Sequence, residues 1–466
     1  MRHQKYLSFA LVMLCFSGAL YGQRNPESTP GHNVREWTSI EGKKLMAEYL
    51  GIQGPNVVLK LPNGKITPVA LARFSEADNA FIKQNPLEYR VAWQAWPKAA
   101  QARIINVDVT ESAGEAGAFV YTTPHFRFQT DVNLGTTLMK ELARAFELTY
   151  DLHTMSPFGI LAHPDGRYYQ ARLISSTEKY HSEGGPSGSI GVYMLKDKVF
   201  LASLQEMGVR NGSAGWRKVS SSVYDPSLVV HELTHMLTHD MLDNLPVWMN
   251  EGYAEYVSNI PIEGDSFRVS GDKIRLGVRK HFAVTGGFHP GGPVTQLYHV
   301  GHVLTMTDQE WVTGKAPTGT GEVAQTYAHP DVDRLRRLYR TAHLIIYYFI
   351  QIEGEKGVAK IRRFLDENRG HMARYNEYRN NFKLYEEQMA AFLNLPGVSK
   401  LPDGRIQYPS DLVAPKAPEP PFTDPNMVKM GGIEALLGGE SAEVVGARIE
   451  SELEQDLKLG LVFKDS

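Results

Sequence analysis

Two histidines four positions apart, His231 and His235 in the segment His231-Glu232-Leu233-Thr234-His235, are the residues of this chain best spaced to share one metal ion. Four residues is close to one helical turn, so both imidazoles fall on one helix face, while Glu232 is rotated by about 100° and stands beside them. A helix is expected here from about Pro226, since Asp225 can cap it and proline suits its first position. Two nitrogens and a neighbouring carboxylate are what a metal-assisted hydrolase needs. Fifteen residues separate His235 from Glu251 in Trp248-Met249-Asn250-Glu251-Gly252-Tyr253-Ala254-Glu255-Tyr256, which reads as a second helix after Pro246. That spacing allows one turn of chain and a return.

Together the two segments resemble the gluzincin metallopeptidases, the superfamily of thermolysin and aminopeptidase N, over roughly residues 100–395. The resemblance implies zinc held by His231, His235 and Glu251, with Glu232 as general base. It makes Glu255, one turn beyond Glu251, the residue that orients a metal-bound histidine; Glu255 as ligand with Glu251 in support is the alternative. A tyrosine opening a later helix stabilises the oxyanion in the aminopeptidase branch. Tyr339 is the best match, Tyr298 the runner-up, and a core tyrosine is the bland alternative for either. His239, His299, His302 and His343 have no partner at a better ligand spacing and read as structural or exposed.

The expected reaction is hydrolysis of a peptide bond in a peptide or protein substrate. Zn2+ lowers the pKa of its water toward ~7, and Glu232 passes the proton on to the leaving amine. Substrate pairing with an edge strand falls to Ser189–Tyr193 or Val199–Ala202. The Gly-Ala-Met-Glu-Asn clamp for a free amino terminus is missing, so an endopeptidase is expected. An inactive peptidase fold kept as a surface binding module is the competing expectation, and the presence of Glu232 counts against it. Cleavage of another amide or an ester in a surface polymer is a third.

The elements that must position these residues read as α+β: a small SH3-like β domain, a zincin-like catalytic domain with a mixed sheet and an active-site helix, and a helical C-terminal part. Strands are expected at Arg103–Val109, Phe126–Thr130, Tyr169–Ser175, Ser189–Leu195 and Val199–Leu204. Leu134–Tyr150 reads as a helix with Leu138, Leu142, Phe146 and 148–150 on one face. The catalytic domain is bounded at 100–395, with its core at 226–260 and a helical part at 330–395. Residues 405–466 read as a proline-rich linker and a tail helix near Ser441–Leu459. The glycine-rich segment Thr313–Gly321 has Lys315 ahead of its glycines and is not a phosphate loop.

Residues 35–87 resemble the small SH3-like homology domain of endocytic adaptors, also found on secreted bacterial proteins. The match rests on Arg35, Trp37, Gly42, Ala47, Val57, Leu59, Gly64, Leu71, Ser75 and Asp78. The adaptors' domain binds short peptide motifs; a peptide or surface partner and the simpler role of a spacer are the two expectations for this one. Asn63-Gly64 predicts a hairpin turn, and Ser75-Glu76-Ala77-Asp78 the cap of a short helix.

The composition of the 466 residues, 42% hydrophobic and 22% charged, is that of a globular chain. Arg2, Lys5, an apolar run from Tyr6 to Leu20 and small residues to Gly22 form a signal peptide, residues 1–22, with an uncleaved anchor as the alternative. A secreted or periplasmic, bacterial location follows, with no membrane span in the mature chain. Val12-Met13-Leu14 are too bulky before Cys15 for lipid attachment. Cys15 is the single cysteine, so the mature chain lacks disulfides and any metal must be held by His, Asp or Glu. The net charge of −3 and the absence of a basic block disfavour nucleic acid.

Overall fold

The computed structural model describes residues 34–464, apart from 54–55, 63–65, 85–106, 114–117, 220–225, 286–295, 315–331, 402–404, 423–428 and the single positions 159, 163, 188, 214, 243, 265 and 411. The expected signal peptide with Cys15, the Asn63-Gly64 turn, Asp225 and most of 103–109 lie outside the described residues.

Alternating apolar positions build the first sheet. Val34–Thr38 (β1), Lys44–Gln53 (β2), Asn56–Lys60 (β3) and Ile66–Ala70 (β4) are antiparallel in the order β1-β2-β3-β4. Trp37, Tyr49, Val57 and Leu59 pack with Phe74 and with Ile82 of the helix Glu76–Gln84 (α1). Ser75 caps α1, its hydroxyl accepting the Asp78 amide at 3.2 Å. The buried Asp78 carboxylate accepts Arg35 Nη2 at 2.6 Å and the Thr38 amide at 2.7 Å, tying α1 to β1.

A mixed six-stranded sheet follows, made of Thr110–Ala113 (β5), Phe119–Thr122 (β6), Phe126–Thr130 (β7), Tyr169–Ile174 (β8), Gly191–Met194 (β9) and Val199–Ser203 (β10). Its order is β5-β6-β7-β8-β10-β9, so β9 is an edge strand. The β7–β8 and β8–β10 pairs are parallel, and β9 runs antiparallel to β10. Helix Gly135–Thr154 (α2) buries Leu138, Leu142, Phe146 and 148–150, the face that its periodicity predicts. The short helix Thr177–Ser182 (α3) and a hairpin of Val209–Gly212 (β11) and Gly215–Lys218 (β12) complete this part.

The helical part begins with Pro226–Leu237 (α4), His239–Leu242 (α5) and Val247–Ser258 (α6). Two short strands, Ile262–Glu263 (β13) and Ser266–Phe267 (β14), lead to Gly271–Thr285 (α7), Gln296–Tyr298 (β15), Val300–Thr305 (α8) and Asp308–Thr313 (α9). Val332–Tyr347 (α10) runs through a π-helical turn at Tyr348–Ile352 toward the long Glu355–Leu393 (α11). A hairpin of Ser399–Lys400 (β16) and Ile406–Gln407 (β17) precedes Glu434–Leu437 (α12), Ala442–Leu457 (α13) and Val462–Lys464 (β18).

Two cores meet along α4. Val229, Leu233, Met236 and Leu237 face the sheet and α2, while Val230 faces the cluster built by α6, α8, α10 and α13. The apolar residues of α4 thus fix both sides of the helix that carries the histidines. Helix α13 joins the second core through Val445, Ile449, Leu453 and Leu457, and β18 pairs in parallel with β15. Among the described residues no helix is long and apolar enough to cross a membrane.

Candidate metal centre

Helix α4 brings His231, Glu232 and His235 into the interior, at 6%, 2% and 3% exposure. Helix α6 returns beside it and supplies Glu251, equally buried at 1%. The three nearest ligand atoms form a small triangle. His231 Nε2 and His235 Nε2 are 3.2 Å apart, and Glu251 Oε2 is 3.3 Å from the first and 3.5 Å from the second. Ligands at 2.0–2.1 Å from a tetrahedral centre stand about 3.3–3.5 Å from one another, so the triangle has the dimensions of a closed set of metal ligands. Glu251 Oε2 is also buried and has no hydrogen-bond partner among the described residues. A cation in this position would satisfy it.

The charge balance fits the same description. Burial works to raise the Glu251 pKa, yet the imidazoles of His235 and His231 bring it down to about 2. His231 also presents Nδ1 to Glu255 Oε1 at 3.4 Å. Against the opposing effect of burial, His231 holds Glu255 at about 2 as well. Glu251 therefore faces the shared side of both rings, while Glu255 sits on the far side of His231, against its Nδ1.

Glu232 is oriented by the sheet. Its Oε2 accepts the backbone amide of Tyr193 at 2.9 Å, and its Oε1 is buried with no partner. Burial raises its pKa, the two histidines acting in the opposite direction. The edge strand β9 thus holds one oxygen of Glu232, while the other has no partner among the described residues. Of the two segments expected to lie at an edge, the one around 189–193 does so, and Val199–Ala202 lies inside the sheet.

Tyr339 arrives from α10 because α6 and α10 pack almost backbone to backbone. A Cβ on Gly252 would lie 2.5 Å from the Ala342 carbonyl oxygen, so only glycine after Glu251 allows this approach. Ala342 is one turn beyond Tyr339, whose ring stacks on His231 with centroids 6.3 Å apart and 22° between planes. Burial raises the Tyr339 pKa well above the ordinary phenol value, and the negative charge of Glu251 nearby adds to the effect. Tyr298 lies elsewhere in the packing, its ring under the Arg337 guanidinium at 5.1 Å and its amide on Thr341 Oγ1 at 3.1 Å.

The other histidines divide. His239 Nδ1 contacts the Met236 carbonyl at 2.9 Å, and His299 lies 3.3 Å from Glu450. His343 is fully buried beside Glu255 and His281, a grouping that sequence spacing missed because its members come from α6, α7 and α10. Among the described residues, that trio and the His231–His235–Glu251 set are the two groups placed to hold a metal ion. No protein-family model, curated protein or solved structure matches the chain.

Proposed function

We propose that the chain is a secreted zinc metallopeptidase of gluzincin type, with Zn2+ held by His231, His235 and Glu251. The observation that carries this is the 3.2–3.5 Å triangle of ligand atoms with the unpartnered Oε1 of Glu232 next to it. A bound zinc ion supplies Lewis acidity, lowering the pKa of water and polarising a carbonyl. The donor set of two imidazoles and one carboxylate suits zinc better than calcium or magnesium, which take oxygen ligands.

The side chains then divide the labour. Glu232, its Oε2 anchored on the Tyr193 amide, takes a proton from water on Oε1 and returns it to the leaving amine. Tyr339 donates its hydroxyl to the developing oxyanion. Glu255 keeps His231 in one tautomer and orientation. The outer edge of β9, adjacent to Glu232, offers backbone groups to an extended peptide, which would bring a scissile carbonyl toward the base. The N-terminal sheet would hold a peptide or surface partner.

Cleavage of a quenched peptide library by the wild-type chain and by Glu232→Gln tests this function. Cleavage by the wild type, abolished by chelation and lost in the variant, is the expected result. A metal-loaded wild type that cleaves no peptide would overturn it in favour of a binding module.

A further inference from the structure

Behind the first group lies a second convergence of ligand side chains. Glu255 on α6, His281 on α7 and His343 on α10 each offer one ligand atom, all within 4.8 Å of one another. His343 is fully buried, and among the described residues neither of its ring nitrogens has a hydrogen-bond partner. Its surroundings are mostly aromatic, with Phe282 and Tyr256 at 6.0 Å and 6.4 Å between ring centroids and His281 at 5.8 Å. A fully buried imidazole unpaired on both nitrogens is an expensive residue to keep in such a place. A bound cation would satisfy one nitrogen.

The Glu255 carboxylate is common to both surroundings, touching His231 and lying within 4.8 Å of the His281 and His343 ligand atoms. Glu255 Oε1 faces His231 Nδ1 at 3.4 Å, and Oε2 accepts Asn259 Nδ2 at 3.4 Å. From this geometry we propose that Glu255, His281 and His343 form a second binding site for a divalent transition-metal ion of the zinc class. Two nitrogens and one oxygen favour zinc, cobalt or nickel over calcium and magnesium. The spread of up to 4.8 Å exceeds the about 3.3–3.5 Å of a tetrahedral ligand set, so binding draws the side chains together by roughly 1 Å. His281 is only half-buried and leads that movement. Because Glu255 also touches His231, the sites are coupled, and filling either alters affinity at the other.

The site stands on its own residues and does not require the peptidase function. Metal content of the full mature chain, zinc-loaded and freed of excess by gel filtration, tests it by elemental analysis. Two zinc ions per wild-type chain are expected, one in His343→Phe, one in His281→Gln, and one in the double variant His231→Gln/His235→Gln. One zinc in the wild type, kept in His343→Phe and lost in the double variant, would overturn the second site and leave the first intact. The reverse pattern would keep the second site and remove the basis of the proposed function. Cobalt titration of the metal-free chain gives an independent reading: two equivalents with tetrahedral absorption support the proposal, and saturation at one equivalent, lost in the double variant His231→Gln/His235→Gln, contradicts it.

Discussion

At the scale of single residues, Glu232 and Tyr339 differ in what their removal should change. Glu232→Gln keeps its shape and its Tyr193 contact but cannot take a proton, so kcat is expected to fall roughly 10²–10⁴-fold with zinc content unchanged. Tyr339→Phe keeps the ring on His231 and removes the donor, and a loss of about 10²–10³ in kcat with little change in KM is expected. Loss of zinc in either variant would show that the residue acts on the metal site itself. His153 offers a separate test through stability. Burial beside Tyr253 lowers its pKa to about 4, while an unfolded histidine titrates near 6.5. The unfolded chain binds the extra proton between these values, so this contribution is complete above about pH 6.5 and lost as the pH falls toward 4. It amounts to something on the order of 3 kcal/mol. His153→Phe should flatten the stability curve over that window in denaturant titrations; an unchanged slope would mean that the proton goes elsewhere.

At the scale of elements, the site depends on how closely α6 approaches α10. Gly252→Val would drive a side chain into the Ala342 carbonyl, and a loss of about 1–3 kcal/mol is expected, with Tyr339 displaced from His231. Thermal unfolding together with a Tyr339-dependent drop in kcat checks both parts. Much at this scale was legible in the sequence, because local periodicity is decided by neighbouring residues. The one-turn spacing of His231 and His235, the helix after Pro246 and the apolar face of α2 all appear where their patterns predict. What escaped the sequence depends on partners far along the chain. Which strand forms the sheet edge is set by strand order, and the meeting of Glu255, His281 and His343 is set by three helices packing together.

At the scale of the whole molecule, the C-terminal segment packs into the core that supports the site. A Cβ on Gly446 of α13 would lie 2.3 Å from the Gly301 amide nitrogen of α8, which shows how closely the two helices meet. Glu450 accepts the Val300 amide at 2.7 Å, and Asp456 accepts the Tyr347 hydroxyl at 2.7 Å. The tail pattern near Ser441–Leu459 identified the helix but not its destination, because an amphipathic face does not name the surface that it covers. Each of Val445, Ile449, Leu453 and Leu457 contributes about 1.5–3 kcal/mol by burial. Ending the chain at Glu440 should therefore abolish cooperative unfolding of α6, α8 and α10; hydrogen exchange that leaves these helices as protected as before would contradict this. The most direct measurement is anomalous scattering at the zinc edge from crystals of the zinc-loaded chain. A peak within about 2.0–2.2 Å of His231 Nε2, His235 Nε2 and a Glu251 carboxylate oxygen is predicted. Crystals holding zinc but showing no peak among those three residues would contradict the account.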